Sequence, residues 1–263
     1  WGQGGLRAGE IGNSGNAGNS GNAGNSGNAG NAGGFLSLSL RATDNNFASM
    51  KFSIFYLLTV ICLLGFSCTK ELIDIEPDGY FTDTRDSLEY PFVEIGNQTW
   101  MMRNLAYESP EGAYVWEENQ KLIADYGRLY SFEAALKACP AGWHLPTDLE
   151  WKILEKHLGM DPASADSVDW RRSADVAIAL KNESGWYSGG NGNNNSKFSA
   201  LPGGFRGTNG RYYYHGDIAN YWTSNYTSET HAWGRAMIYY ESGVYRWRYE
   251  KEEAFSVRCV KNL

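Results

Sequence analysis

Between Ser87 and Met102 the chain reads SLEYPFVEIGNQTWMM, with apolar positions alternating on either side of Gly96-Asn97. A period of two marks half-buried strands, and a Gly-Asn pair between two such runs favours a type II′ turn. Strands are therefore predicted at about 89–95 and 98–102. The pattern then lengthens. LYSFEAALKAC (129–139) suits a short helix with Ser131 as N-cap, stopped by Pro140. In CPAGWHLPTDLEW (139–151), Thr147 and Glu150 have capping-box spacing, which starts a helix over 148–158 with Trp151, Leu154 and Leu158 near one face and Gly159 as its stop. SADVAIALKN (173–182) reads as a third helix.

Beyond residue 185 the helical period disappears. SGGNGNNNS (188–196) reads as a solvated loop, followed by strand-like runs at about 198–206, 211–215 and 219–224. HAWGRAMIYYESGVYRWRYEKEEAFSVRCV (231–260) reads as three more strands, with turns near Ser242-Gly243 and Lys251–Glu253. In VYRWRY, alternation sets Tyr245, Trp247 and Tyr249 against Val244, Arg246 and Arg248, one face packed and the other solvated. Helices early and strands late, without β-α-β alternation, predict an α+β fold of short helices packed on twisted antiparallel sheets.

The N-terminal third changes this picture. Residues 12–34 repeat Gly, Asn, Ser and Ala with no aromatic, β-branched or charged residue, too little apolar surface to offset the entropy of ordering. Residues 1–49 are read as a disordered extension absent from the mature protein; the alternative is a flexible tether. From Met50 a single Lys51 precedes 15 apolar-rich residues, Phe52–Phe66, shorter than a membrane span and suited to a signal peptide over 50–67. Cys68 follows Ser67 directly, and the stretch resembles a bacterial lipobox, with Gly65 where leucine is usual. That resemblance implies a lipidated Cys68, attachment to the outer membrane and, from the charged TKE that follows, display at the cell surface. Residues 68–80 read as an acidic linker and 81–263 as the folded unit.

Charge narrows the partners. Setting aside residues 1–67, which carry Arg7, Arg41 and Lys51 against Glu10 and Asp44, leaves 20 basic and 28 acidic residues, a net charge of −8. No basic stripe offsets it, which argues against nucleic acid. If Cys62 leaves with the signal and Cys68 carries lipid, the exported domain keeps Cys139 and Cys259, an even pair in an oxidising compartment that a structural disulfide would join; two separate buried thiols are the alternative.

FTDTRDSLEYPFVEIGNQTWMMRNL, YGRLYSFEAALKACPAGWHLPTDLEW, FSALPGGFRG and FSVRCVKN, taken in order, resemble the Fibrobacter succinogenes major paralogous domain. Ser87 stands where that family more often has glycine. The family is in turn similar to the C-type-lectin-like fold, which implies a bond between Cys139 and Cys259 and terminal strands that pair. The calcium triplets of sugar-binding C-type lectins, Glu-Pro-Asn or Gln-Pro-Asp with Trp-Asn-Asp, do not occur. The related formylglycine-generating oxidases share an LPT..EW helix start and a late RC strand, but their chemistry needs reactive cysteines that bind copper.

Elsewhere the residues carry little catalytic signal. His144, His157, His215 and His231 have no ligand spacing on a helix, and His144 and His157 read as partly buried residues flanking a helix, so neither metal nor cofactor is expected. The aromatic C-terminal third is the candidate binding region. Tyr213, His215, Asp217, Trp222, Trp233, Arg235, Arg246 and Trp247 are the residues that would stack on a glycan or clamp a protein segment, unless the rings are core and the arginines solvated or paired with Glu250 and its neighbours. The expected protein is a lipid-anchored, non-enzymatic envelope module that binds an extracellular polymer or protein, with an oxidase-like enzyme or a purely structural lipoprotein as alternatives.

Overall fold

The structure, a computed structural model, describes residues 76–263. The extension, the signal segment and Cys68 lie outside the described residues. In chain order the elements are β1 (Gly79–Thr82), β2 (Glu89–Ile95), β3 (Gln98–Met101), β4 (Ala113–Tyr114), α1 (Ile123–Tyr126), β5 (Leu129–Ser131), α2 (Phe132–Ala138) and β6 (Trp143–His144). There follow α3 (Asp148–His157), α4 (Pro162–Asp166), β7 (Asp169–Arg171), α5 (Val176–Leu180), β8 (Phe205–Arg206) and β9 (Tyr212–Tyr213). The chain closes with β10 (Ile218–Tyr226), β11 (His231–Ile238), β12 (Val244–Glu250), β13 (Ala254–Ser256) and β14 (Val260–Lys261).

The fold is α+β, with short helices on two largely antiparallel sheets. The first sheet runs β1-β2-β3-β14-β6, so the first described strand and the last lie in one layer. The β2–β3 hairpin pairs Ile95 with Gln98, and Gly96 alone of the two turn residues takes positive φ (+63°), as a type II′ turn requires. β1 starts at Gly79, two residues ahead of the expected boundary, because Gly79–Thr82 pairs with Phe92–Glu89. The second sheet runs β4-β5-β13-β10-β11-β12-β7, with β8 paired to β13 and β9 to β8. The runs expected at 198–206 and 211–215 shrink to two-residue strands, since their Gly, Pro and Ser residues turn the chain rather than extend it.

The predicted solvated face is corrected by the central strands β10–β12, which are covered on both sides. One face carries Trp222, Ala236, Tyr245 and Tyr249 against Phe132 and Phe255. The other carries Tyr221, Met237 and Val244 against Trp151, Leu154 and Phe198, brought by α3 and the 190s loop. That loop is packed rather than solvated, with Asn194 and Ser196 buried. α3 begins with the expected capping box: Thr147 Oγ1 accepts from the Glu150 N–H (3.1 Å) and Glu150 Oε2 accepts from the Thr147 N–H (2.7 Å).

Beneath α3 lies a buried ion network. Asp148 and Glu155 descend from the helix; Arg171, Arg235 and Arg246 rise from β7, β11 and β12. Arg171 grips Glu155 with two nitrogens (2.5 and 2.6 Å), Arg235 bridges Glu155 (2.7 Å) and Asp148 (2.8 Å), and Arg246 binds both oxygens of Asp148 (2.8 Å each). Such a network adds little net stability over an apolar core, but its members depend on one another. The expected partner Glu250 plays no part, because its side chain lies on the opposite end of β12 from Arg246 and is exposed.

Cys139, the C-cap of α2, is bonded to Cys259, directly before β14, with 5.9 Å between Cα atoms and a sequence separation of 120. Closing so long a loop restricts the unfolded chain by up to about 5 kcal/mol in the chain-entropy model.

Candidate functional site

The residues expected to form one platform divide into three groups. Trp222 and Arg235 are fully buried and Arg246 is 5% exposed, all held by internal partners: Trp222 Nε1 donates to the Tyr130 carbonyl (2.8 Å), and the arginines belong to the ion network. They are not ligand contacts. Trp233 and Trp247 point to opposite faces of β11 and β12. Arg246 lies over Trp233, 3.7 Å from the ring centroid, while Trp247 stacks on Tyr245 at 5.9 Å. His215 and Asp217 lie on the turn between β9 and β10, and Tyr213 ends β9 just before it, with its ring 5.5 Å from Phe205.

Around that turn the fold gathers rings that local sequence pattern does not connect. Trp116 lies 5.1 Å from the His215 ring and 5.3 Å from Tyr212, and Tyr126 lies 4.4 Å from His215 on another side. Gly204 is required beneath Trp116, since a Cβ there would sit 2.5 Å from the indole. Across the turn, the Tyr187 N–H donates to the Gly216 carbonyl (2.8 Å) and the Tyr239 N–H to the Asp217 carbonyl (2.9 Å). These bonds append Tyr187, Tyr239 and Tyr240 to the strip, with centroid spacings of 5.4 and 4.9 Å. Tyr187 is 62% and Tyr240 57% exposed.

The backbone on this surface is strained. Glu117 (φ +44°), Glu118 (+57°), Ser188 (+49°) and Tyr214 (+61°) all occupy the left-handed region, and each borders a ring of the strip. Left-handed non-glycine residues persist where the surroundings over-determine them, and such strain concentrates at working sites. A second device fixes the strip from below. The buried Lys181 Nζ donates into four converging carbonyls, those of Gly190, Ile238, Tyr239 and Glu241, at 2.9 to 3.3 Å, with the Trp186 ring 5.0 Å away. Burial pushes its pKa down to about 8, opposed by Glu241, which leaves the ammonium as the main form at neutral pH. The turns carrying Tyr187 and Tyr239–Tyr240 are thereby clasped to α5.

Polar groups on the strip are less well matched. His215 Nε2 is buried and has no hydrogen-bond partner, and burial holds the imidazole below its ordinary pKa against the pull of Glu117 and Asp217. Asp217 is half-buried; burial raises its pKa, opposed by His215. The Tyr212 hydroxyl donates to Glu118 Oε1 (3.2 Å), and Arg206 lies over Tyr114 at 4.1 Å.

A family model described as the Fibrobacter succinogenes major domain matches residues 93–261. The chain belongs to that family. Neither a curated protein nor a solved structure matches it. The span of the Fibrobacter succinogenes major domain contains the strip, the ion network and both cysteines, and excludes β1. Ser87, where glycine is more usual in the sequences it resembles, has φ +63°, a conformation glycine adopts freely. His144 is half-buried as expected and bridges Asn262 (2.6 Å) and Glu150 (2.8 Å), whereas His157 is exposed under the Gly96 turn. A concavity of about 290 Å³ opens away from the strip, between Asp78, Glu94, His157 and Lys197; it is shallow and mostly polar. Among the described residues no helix is long and apolar enough to cross a membrane.

Trp116, Tyr126 and Tyr187 are functional candidates that sequence reasoning missed. Each comes from a separate short turn of helix or its end, and periodicity carries no information about which of these segments meet.

Proposed function

We propose that this member of the family is an exported binding module, tethered to the bacterial outer membrane through lipid on Cys68 and facing outward, whose aromatic strip engages an extracellular glycan or envelope protein. The carrying observation is the strip itself: exposed ring faces on a strained, clasped backbone, with an unmatched buried imidazole nitrogen in its centre. Ring faces of this kind offer large contact area at low conformational cost.

Kinship with the C-type-lectin-like fold belongs to the same proposal. It is supported by the disulfide between the end of α2 and the residue before β14, and by the layer shared by β1, β2, β3 and β14. The oxidase alternative needs reactive cysteines, and the two in the domain are joined to each other.

Glycan arrays and pull-downs from envelope fractions test the binding role. Trp116→Ala and Tyr187→Ala are expected to weaken capture about tenfold or more while far-ultraviolet circular dichroism and the cooperative thermal transition are kept; uniformly blank results with folded protein would remove the proposal. Mass spectrometry of the membrane form tests the anchor, with a diacylated Cys68 expected at the mature N-terminus.

A further inference from the structure

The tether in that reading enters the domain beside the concavity between β2 and the 190s loop. Resting on that tether, we infer that the concavity seats a membrane-lipid headgroup bearing a phosphate and a primary ammonium, so that the domain docks on its own membrane there.

Three observations carry this. First, accessible groups of both signs face the space from different walls. Glu94 on β2 and Asp78 ahead of β1 bring carboxylates, while Lys197 and Asn195 on the loop bring an ammonium and an amide beside the exposed His157 ring at the end of α3. Among the described residues nothing donates to the Glu94 side chain, whose backbone N–H alone is engaged, by Asp78 Oδ2 (2.7 Å). Lys197 Nζ gives one N–H to the Glu76 carbonyl (3.0 Å) and stands 3.6 Å from Asp78 Oδ1, which leaves a donor over for a phosphate. A volume of about 290 Å³ admits a headgroup but not a stretch of polymer. Second, the loop is held against its own preference. Asn194 (φ +48°), Lys197 (+60°) and Ser199 (+57°) are left-handed, and the buried Asn194 closes the loop by accepting from the Ser199 N–H and donating to its Oγ (2.8 Å each). Strain of this kind clusters where ligands are held. Third, the chain enters here. Glu76, fastened by Lys197, stands eight positions after Cys68 and so lies within roughly 28 Å of it. One headgroup contact is weak in free solution, but a leash this short keeps headgroups at high effective concentration. A purely anionic surface repels an acidic domain, whereas a headgroup with its own ammonium matches Glu94 and Asp78 as well as Lys197.

The test leaves out the acyl chain: the full mature chain carrying Cys68→Ser is followed by NMR as lipid nanodiscs are added. Phosphatidylethanolamine nanodiscs should shift the amides of residues 93–97, 157–158 and 194–197. Phosphatidylcholine, whose methylated ammonium has no N–H, and phosphatidylglycerol, which has no ammonium, should bind about fivefold or more weakly. Glu94→Gln and Lys197→Met should each weaken the response by a similar factor, and Trp116→Ala should leave it unchanged. Equal response to phosphatidylcholine, or preference for phosphatidylglycerol, overturns the paired recognition. Soluble phosphoethanolamine shifting these amides while its lipid does not overturns the membrane as the source. Silence from every probe removes the site. Mass spectrometry at Cys68 judges the tether separately: an unmodified cysteine topples the tether, and the nanodisc shifts alone still decide the headgroup site.

Discussion

Asp148 shows how one carboxylate governs this molecule. Burial alone would raise its pKa, yet hydrogen bonds from Arg246, with Arg235 and Lys152, hold it well below the usual carboxylate range. Its folded pKa is depressed, so its contribution is present at neutral pH and fades as pH falls below the ordinary value near 3.8. Asp148→Asn leaves two buried guanidinium groups under-compensated and is expected to lower unfolding free energy by about 3–5 kcal/mol in urea titrations at pH 7. Glu253 runs the other way. Burial, aided by the neighbouring Glu250, pushes its pKa up to about 7, so between 4.5 and 7 the native state holds a proton the unfolded chain releases, and stability drains as pH rises through that window. Glu253→Gln should stabilise by roughly 1–3 kcal/mol at pH 8 and by nothing at pH 4, read from the same titrations. Neither role was legible beforehand. Arg246 read as a ligand contact, or else as an arginine solvated or paired with Glu250 and its neighbours, because strand alternation gives sidedness without revealing that α3 roofs the second face.

At the level of elements much more could be read locally. The capping box at Thr147, the Gly96-Asn97 turn and the Ser131–Pro140 limits of α2 depend on residues within a few positions of each other; the first two took the form expected, and α2 keeps its limits although the Ser131 side chain makes no capping hydrogen bond. Thr147→Ala is expected to lower stability by about 1 kcal/mol in thermal melts. Ser87 supplies the opposite case: Ser87→Gly relieves a left-handed serine and should raise stability by under about 1 kcal/mol, visible as a small upward shift in melting temperature. What escaped was long-range. The strip joins residues 116, 126, 187, 212–217 and 239–240, held by backbone bonds across the Gly216 turn and the Lys181 clasp, and no spacing rule announces such a meeting. Of the residues proposed from composition, only Tyr213, His215 and Asp217 share that place.

The molecule as a whole is organised by the Cys139–Cys259 bond, which sequence counting and the structure agree on. Cys139→Ser with Cys259→Ser should lower unfolding free energy by about 2–5 kcal/mol, and reduction of the wild type should reproduce the loss. The ring also has a mechanical meaning. A load applied through the N-terminal end reaches β1 first, an edge strand paired only with β2, and can peel it away without touching the sheet behind. Further traction meets the covalent loop. Its 120 residues, roughly 400 Å of contour if drawn out, cannot be paid out while the sulfurs stay joined. Of the strip, residues 187, 212–217 and 239–240 lie inside that locked segment and keep their places under such a pull, whereas Trp116 and Tyr126 stand on the open arm ahead of Cys139 and would be the first of its rings to be drawn away.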